Sequence, residues 1–230
     1  MLTLEKIVLR QESFHLTADW SVNRGARVAL IGPSGAGKSS LLNAIAGFFA
    51  PVSGRILWQG ADVTQMAPGA RPFTILFQDQ NLFPHLTLAQ NLGFGLSPRL
   101  QLSHDQRAEV EQALVRVGLA GMGAQKPAQL SGGQQSRAAL ARALLRARPV
   151  LLLDEPFAAL GPALKMDMLD LVDEVARLTD ATVLMVTHDP ADARRFADKT
   201  VLVADGVAQA PVTTAELFAH PPAALQAYLG

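Results

Sequence analysis

The stretch RVALIGPSGAGKSSLLNAIAG, residues 27–47, predicts the fold of this chain. It opens with a short apolar run typical of a buried strand, passes through a glycine-rich loop, and ends in a helical pattern that Gly47 stops. The loop, GPSGAGKS at 32–39, fits the pattern G-x-x-x-x-G-K-[ST]. A strand, this loop and a helix in that order indicate an α/β chain with helices packed on a parallel sheet.

The same loop predicts a phosphate site. Its glycines allow successive backbone N–H groups to converge on phosphate oxygens, and the helix N-terminus adds partial positive charge. We expect Lys38 to reach the β- and γ-phosphates of a nucleotide and the Ser39 hydroxyl to hold Mg²⁺. The alternative is an ordinary glycine-rich turn, which the flanking strand and helix disfavour. The predicted nucleotide-binding residues of the loop are Gly32, Pro33, Ser34, Gly35, Ala36, Gly37, Lys38, Ser39 and Ser40.

Composition excludes several classes of function. The chain has 230 residues, of which 49% are hydrophobic, so a sizeable core is expected. Twenty basic and 20 acidic residues balance without a basic block, which argues against nucleic acid as a partner. There are no cysteines, and no uncharged apolar run approaches the ~18 residues of a membrane span. Any role at a membrane would therefore require docking onto other chains.

Predicted strands and helices alternate along most of the chain. The patterns predict strands at 2–9, 14–22, 27–32, 71–78, 150–153, 182–187 and 200–204, with a turn and a further strand within 51–60. They predict helices at 38–47, 103–117, 134–146, 162–178 and 190–197. Ser103 with Gln106 forms a capping box, and Thr213 with Glu216 is expected to cap a last short helix. This alternation predicts a mostly parallel core sheet flanked by helices within one domain, 1–230. The segment 81–145 interrupts it and is expected to form a helical subdomain, which leaves 1–80 and 146–230 as the core.

Polar residues stand at the ends of three predicted strands. VLLLDEP, at 150–156, delivers two carboxylates to the edge where parallel sheets bind ligands. Asp154 is expected to hold Mg²⁺, and Glu155 to orient or deprotonate an attacking water. Gln78 can contact the metal or water, and His188 can contact a γ-phosphate. The alternative is that these are merely solvated strand ends.

LSGGQQ, at 130–135, indicates a second phosphate cradle. Two glycines inside a helix would cost up to ~1 kcal/mol each relative to alanine. At a helix start, in contrast, Ser131 can cap and the glycines expose N–H groups to an anion. One chain therefore carries two cradles a hundred residues apart.

These motifs together resemble the ATP-binding subunits of ABC transporters over essentially the whole chain. The resemblance implies the P-loop NTPase fold of that family, with an N-terminal antiparallel β subdomain and a helical subdomain that carries LSGGQ. It implies that Ser131, Gly132, Gly133 and Gln134 bind ATP held by a second copy in a head-to-tail dimer. It also implies that Glu155 and His188 are catalytic, and that Ser39, Gln78 and Asp154 serve Mg²⁺.

The resemblance extends to partners and location. It implies membrane-spanning permease subunits, a periplasmic solute-binding protein reached only indirectly, and a peripheral position at the cytoplasmic face of a bacterial inner membrane. Leu82, Phe83, Pro84 and Leu86 are expected in a loop that lines the groove for a permease helix, with ordinary core packing as the alternative. Three stretches, at 32–54, 76–98 and 151–164, are similar to the ATPases of thiamine importers. Importers of iron, sulfate or polyamine, and soluble ABC ATPases, remain alternatives.

The chain departs from the family pattern at two places. The family has an aromatic residue about twenty positions before the P-loop that stacks on adenine; here Gln11 stands near that place, with Phe14 as a stand-in. Gly161 occupies a position where aspartate is usual. Both changes leave open a nucleotide-binding scaffold without turnover. Since Lys38, Glu155 and His188 are present, we predict an active ATPase.

Overall fold

The computed structural model describes residues 1–11, 14–79, 81–158 and 160–229. The strands in this part are β1 (Leu2–Gln11), β2 (Phe14–Val22), β3 (Arg27–Ile31), β4 (Ser53–Trp58), β5 (Ala61–Asp62), β6 (Phe73–Leu76), β7 (Val150–Asp154), β8 (Thr182–Val186), β9 (Lys199–Ala204), β10 (Val207–Ala208) and β11 (Val212–Thr213). The α-helices are α1 (Lys38–Ala46), α2 (Leu88–Leu96), α3 (His104–Arg116), α4 (Gly132–Leu145), α5 (Pro162–Thr179), α6 (Pro190–Phe196), α7 (Thr214–Ala219) and α8 (Ala223–Leu229).

The strands form one large mixed sheet. Its order is β5-β4-β1-β2-β10-β9-β3-β8-β7-β6, with β11 on β9. The five strands β9, β3, β8, β7 and β6 are mutually parallel, whereas β1 pairs antiparallel with β2 and β4. Every residue of β7 and β8 is buried, as expected for strands covered by helices on both faces. The predicted fold class, a parallel core with an antiparallel N-terminal part, is confirmed.

Strand register brings the predicted site residues to one edge. Leu76 pairs with Leu153, and Asp154 pairs with Val186. Because these strands are parallel, their carboxyl ends meet where β3 runs into the P-loop. Residues that follow β6, β7 and β8 therefore surround the N-terminus of α1.

The segment between β6 and β7 is helical and has its own core. Side chains of α2, α3 and α4 form a separate buried cluster that includes Leu88, Leu92, Val110, Leu114 and Ala138. The predicted subdomain at 81–145 stays a prediction as a separate unit, and this cluster is the observation that supports it. None of the helices in the described ranges is long and apolar enough to cross a bilayer.

Two capping boxes begin helices in this segment. Ser103 and Gln106 cap α3 reciprocally, as predicted. α2 was not predicted, although Thr87 and Gln90 form the same box at its start. The glycines within LAQNLGFGL concealed this helix, because glycine is a poor helix former in sequence statistics.

Other boundaries also differ from the predictions. α4 starts at Gly132 and not at Gln134, so both glycines lie in its first turn. α7 is not the last helix, because α8 follows it. The Thr213 hydroxyl donates to the Glu216 carboxylate (3.1 Å) and makes no side-chain hydrogen bond to the helix backbone.

The β6 strand covers 73–76 and not 71–78, because Arg71 is turned into the core. Its side chain is 1% exposed and ties the end of α1 to the loop before β6. The guanidinium donates to the carbonyl oxygens of Ala44, Ile45, Thr64 and Met66 at 2.6–3.0 Å. Burial lowers the pKa of Arg71, and the Asp62 carboxylate opposes this.

We predict that Arg71→Met lowers the free energy of unfolding by about 3 kcal/mol, since it leaves several buried carbonyls without their donor. Urea unfolding measures the change. Arg55→Met is the matched control, because Arg55 is exposed and pairs with Glu5 at the surface. Its cost is expected to be below about 1 kcal/mol. Equal effects of the two substitutions would contradict this role of Arg71.

Candidate functional site

The P-loop curls around the ammonium group of Lys38. Lys38 is the first residue of α1 and is 7% exposed. Its Nζ donates to the carbonyl oxygens of Gly32 (2.8 Å) and Pro33 (2.9 Å) at the start of the loop. Gly32 has a φ of 146°, and a Cβ there would lie 2.0 Å from the carbonyl oxygen of Val203 in β9. The loop therefore needs glycine at its first position.

Opposite charges lie close to this ammonium. Burial lowers the pKa of Lys38, and the Glu155 and Asp154 carboxylates oppose that shift. Burial also raises the pKa of Asp154, while the hydrogen bond from Ser39 opposes this. Both shifts follow from the removal of charged groups from water at the edge of the sheet.

A hydroxyl and a carboxylate meet at the start of α1. Ser39 Oγ donates to Asp154 Oδ1 at 2.8 Å. These are hard oxygen donors of the kind that Mg²⁺ prefers. In the described ranges no group of three or more His, Asp or Glu side chains is arranged to hold a metal ion. Mg²⁺ held here would therefore need phosphate oxygens and water as further ligands, and its binding stays a prediction.

Glu155 and His188 are in contact. Glu155 has a φ of 45°, a left-handed conformation that costs a non-glycine residue ~1 kcal/mol. Its N–H donates to the Val186 carbonyl (3.1 Å), and its Oε2 lies 3.0 Å from Nδ1 of His188. The turn at Glu155 thus joins the ends of β7 and β8. The catalytic roles predicted for the two residues remain predictions.

Gln78 lies at the same edge but outside this contact network. It follows β6 by two residues and is exposed. The pairing of Leu76 with Leu153, continued by two residues, brings Gln78 level with Glu155. Among the described residues no hydrogen bond joins its side chain to Ser39 or Asp154. Its predicted role at the metal stays a prediction.

The second cradle is an exposed helix N-terminus. Ser131 Oγ accepts from the N–H of Gln134 (3.3 Å), and Gln134 Oε1 accepts from the N–H of Ser131 (2.8 Å). A Cβ on Gly132 would meet no atom within 4 Å. Across the described residues no hydrogen bond or ion pair joins this helix end to the P-loop. The two cradles are therefore both formed but are not joined within one chain.

The sequence predictions missed the residues that support His188. Lys165, in the first turn of α5, pairs with Asp189 (2.6 Å) and Asp192 (2.7 Å) on either side of the start of α6. Burial opposes the shift, but the hydrogen bonds to the two carboxylates raise the pKa of Lys165. The sequence held one signal, since Asp189 before Pro190 is typical of a helix start. Asp189 does cap α6, accepting from Ala191.

The two departures from the family pattern have clear positions. The Phe14 ring covers the P-loop, because its Cζ lies 2.3 Å from the place of a Cβ on Gly37. Gln11 ends β1, and residues 12 and 13 lie outside the described part. Gly161 is the N-cap of α5 and supplies no side-chain cap, while residue 159 before it is also outside the described part.

Known proteins share this sequence pattern. A family model described as "ABC transporter" matches residues 16–158. The thiamine import ATP-binding protein ThiQ of Cereibacter sphaeroides is 66% identical over 230 residues, covering all of both chains. ThiQ of a Ruegeria species is 56% identical over the same length. ThiQ of Yersinia pseudotuberculosis is 51% identical over 206 residues, which cover 90% of this chain and 87% of that protein.

Solved structures share the fold. A dimer of the ATP-binding cassette MJ0796, described as a post-hydrolysis state bound to ADP and Pi, superimposes with a TM-score of 0.83 and 28% identity. It covers 93% of this chain and 99% of that chain. A second dimeric structure of the same cassette gives a TM-score of 0.81.

We predict that Gly32→Ala destabilises the chain more than Gly35→Ala, although both positions have positive φ. At Gly35 nothing lies within 4 Å of an added Cβ, so only the left-handed backbone adds a cost, ~1 kcal/mol. At Gly32 the Cβ meets the backbone of β9, which adds about 2 kcal/mol or more. Urea unfolding of both variants tests this; an equal loss would contradict the close approach of loop and strand.

Proposed function

The chain belongs to the ABC transporter family, and we propose that it is the ATP-hydrolysing subunit of an importer whose solute is thiamine. The observation that carries the solute is the full-length similarity to thiamine import ATP-binding proteins. The observation that carries hydrolysis is the meeting of Lys38, Asp154, Glu155 and His188 at one edge of the sheet.

We infer a division of labour among these residues. Lys38 exchanges the carbonyls of its own loop for the β- and γ-phosphate oxygens of ATP. Ser39 and Asp154 would hold Mg²⁺, which would neutralise phosphate charge. Glu155 accepts the proton of the attacking water, and His188 contacts the γ-phosphate. The other P-loop residues and Gln78 line the same nucleotide.

We infer that each ATP lies between two copies of the chain. The Ser131 helix end is capped and exposed, and no hydrogen bond or ion pair within the described residues joins it to the P-loop of its own chain. Backbone N–H groups at a helix N-terminus attract anions, so this end is suited to the γ-phosphate of a second copy. The dimeric state of the MJ0796 cassette supports the arrangement. Binding of ATP closes the dimer, and loss of phosphate opens it.

A positively charged cleft is the proposed docking site for the permease. The docking cleft has a volume of about 720 Å³ and is lined by Phe83, Phe94 and Leu96, with three arginines, Arg142, Arg146 and Arg148. No Asp or Glu is among its described lining residues. Burial lowers the pKa of Arg146, and the neighbouring Arg148 adds to this. The Thr74 hydroxyl, also at this cleft, is buried and has no hydrogen-bond partner in the described part.

The chemistry of the docking cleft favours an amphipathic helix that carries a carboxylate. Such a helix, projecting from a membrane-spanning partner, would hold the chain at the cytoplasmic face of the membrane. The partner would in turn receive solute from a periplasmic binding protein. In the loop before α2, Phe83 lines this cleft, whereas Leu82 packs against the core. The buried side chain of Asn91 fixes this loop through the N–H and carbonyl of Phe83.

We predict that Glu155→Gln lowers kcat for ATP at least ~100-fold, because it removes the proton acceptor, and leaves ATP binding intact. Phosphate release and nucleotide binding measure the two effects. ATP should then hold the variant as a dimer in light scattering. Lys38→Ala is the control, expected to bind ATP weakly and remain monomeric. Equal phosphate release by wild type and Glu155→Gln would contradict the assignment.

The solute is tested by uptake of labelled thiamine into cells that depend on this chain. Uptake is expected with the wild type and not with Glu155→Gln, and unlabelled thiamine should compete. Competition by iron, sulfate or polyamine without competition by thiamine would replace the proposed solute. Thiamine uptake that is unaffected by Glu155→Gln would refute an importer role.

We predict that Arg146→Glu weakens co-purification with the membrane partner at least ~10-fold, because a reversed charge repels the incoming carboxylate. Arg107→Glu is the matched control, since Arg107 is exposed on α3 and does not line the docking cleft. ATP affinity of both variants is measured alongside to detect misfolding. Equal co-purification of the two variants would argue against docking at this cleft.

A further inference from the structure

The loop that carries His188 is held from several directions. The Thr187 hydroxyl donates to Asp192 (2.8 Å) and accepts from the N–H of Asp189 (3.1 Å). Lys165 binds Asp189 and Asp192 from the side of α5. These contacts fix the residues before and after His188, but they do not involve the His188 backbone carbonyl.

That carbonyl is held by the C-terminal helix. The hydroxyl of Tyr228, in α8, donates a hydrogen bond to the carbonyl oxygen of His188. The Tyr228 ring is partly buried against the core cluster under α5 and α6. Burial raises the pKa of the Tyr228 phenol, and the carboxylates of Glu155 and Asp189 raise it further. Tyr228, the sole tyrosine of the chain, therefore lies beside the predicted catalytic pair.

We propose that Tyr228 is a positioning residue for ATP hydrolysis, acting through the backbone of His188. The carbonyl it holds is two bonds from the Cβ that carries the imidazole, so its anchor restricts where the ring can lie. Nδ1 of that ring is 3.0 Å from Glu155. The inference rests on the proposed function, since it concerns the same reaction, and it adds α8 to the elements on which turnover depends.

The role of the Tyr228 hydroxyl can be tested separately from the packing of its ring. A phenylalanine keeps the packing of the ring and removes only the donor, so the fold of α8 is preserved. The Lys38 loop and Ser39 do not contact Tyr228 in the described part, so nucleotide binding is not expected to change. If the loss of this one hydrogen bond is felt in the transition state, kcat is expected to fall about 5-fold.

The test compares Tyr228→Phe with wild type, full length, at saturating Mg²⁺-ATP. We expect kcat to fall about 5-fold, KM for ATP to stay within about 2-fold, and the unfolding midpoint to fall only slightly, since a single hydrogen bond is lost. Gln226→Ala is the matched control on the same helix, because within the described residues its side chain hydrogen-bonds only the Pro221 carbonyl, which lies just before α8. It is expected to hydrolyse ATP like the wild type.

A double-mutant cycle separates positioning from general support. In a His188→Ala background, Tyr228→Phe should have no further effect, because the imidazole that it positions is absent. A Tyr228→Phe chain with wild-type kcat would overturn the inference and leave the proposed function standing. If Tyr228→Phe lowers kcat equally in the wild-type and His188→Ala backgrounds, the inference is likewise overturned and the proposed function stands. A wild-type chain without ATPase activity would overturn the proposed function and this inference together.

Discussion

Parallel pairing of β3, β8, β7 and β6 is the constraint on which the site depends. Side chains that follow parallel strands meet at one edge, and the register of Leu76 with Leu153 and of Asp154 with Val186 sets which residues meet. The P-loop leaves β3 at the same edge, so the Lys38 ammonium lies near two carboxylates. A shift of one residue in this register would turn Asp154 away from Ser39, because successive strand side chains face opposite sides.

Charge at this edge is balanced before any phosphate binds. The P-loop carbonyls accept from Lys38, Ser39 satisfies Asp154, and His188 lies against Glu155. The two buried charged groups here, Lys38 and Asp154, thus each have a partner, which avoids the cost of an isolated buried charge. Phosphate oxygens can replace the Gly32 and Pro33 carbonyls as acceptors from Lys38, and water can replace Ser39 as the donor to Asp154. Under the proposed function, ATP binding exchanges contacts that are already present.

Two surface features, the Ser131 helix end and the docking cleft, are each suited to a group from another chain. The helix end at Ser131 is capped and exposed, and the docking cleft presents Arg146 and Arg148 with no carboxylate among its described lining residues. Each is suited to a group from another chain: the γ-phosphate held by a second copy, and an acidic helix of a membrane partner. Ser131, Arg146 and Arg148 all belong to the segment that connects β6 to β7.

Structural features that depend only on residues adjacent in sequence were set by the local sequence pattern. The P-loop, the Ser103 box, the buried strands and the polar strand ends were all predictable, because a few adjacent residues fix each of them. α2 had such a signal at Thr87 and was still missed, because its glycines weakened the helical pattern. Only the tertiary structure decided that Arg71 caps α1, that Lys165 reaches Asp189, and that Tyr228 holds His188 from forty residues away. These contacts join segments whose distance in space is set by the packing of the whole sheet, and no local pattern encodes that distance.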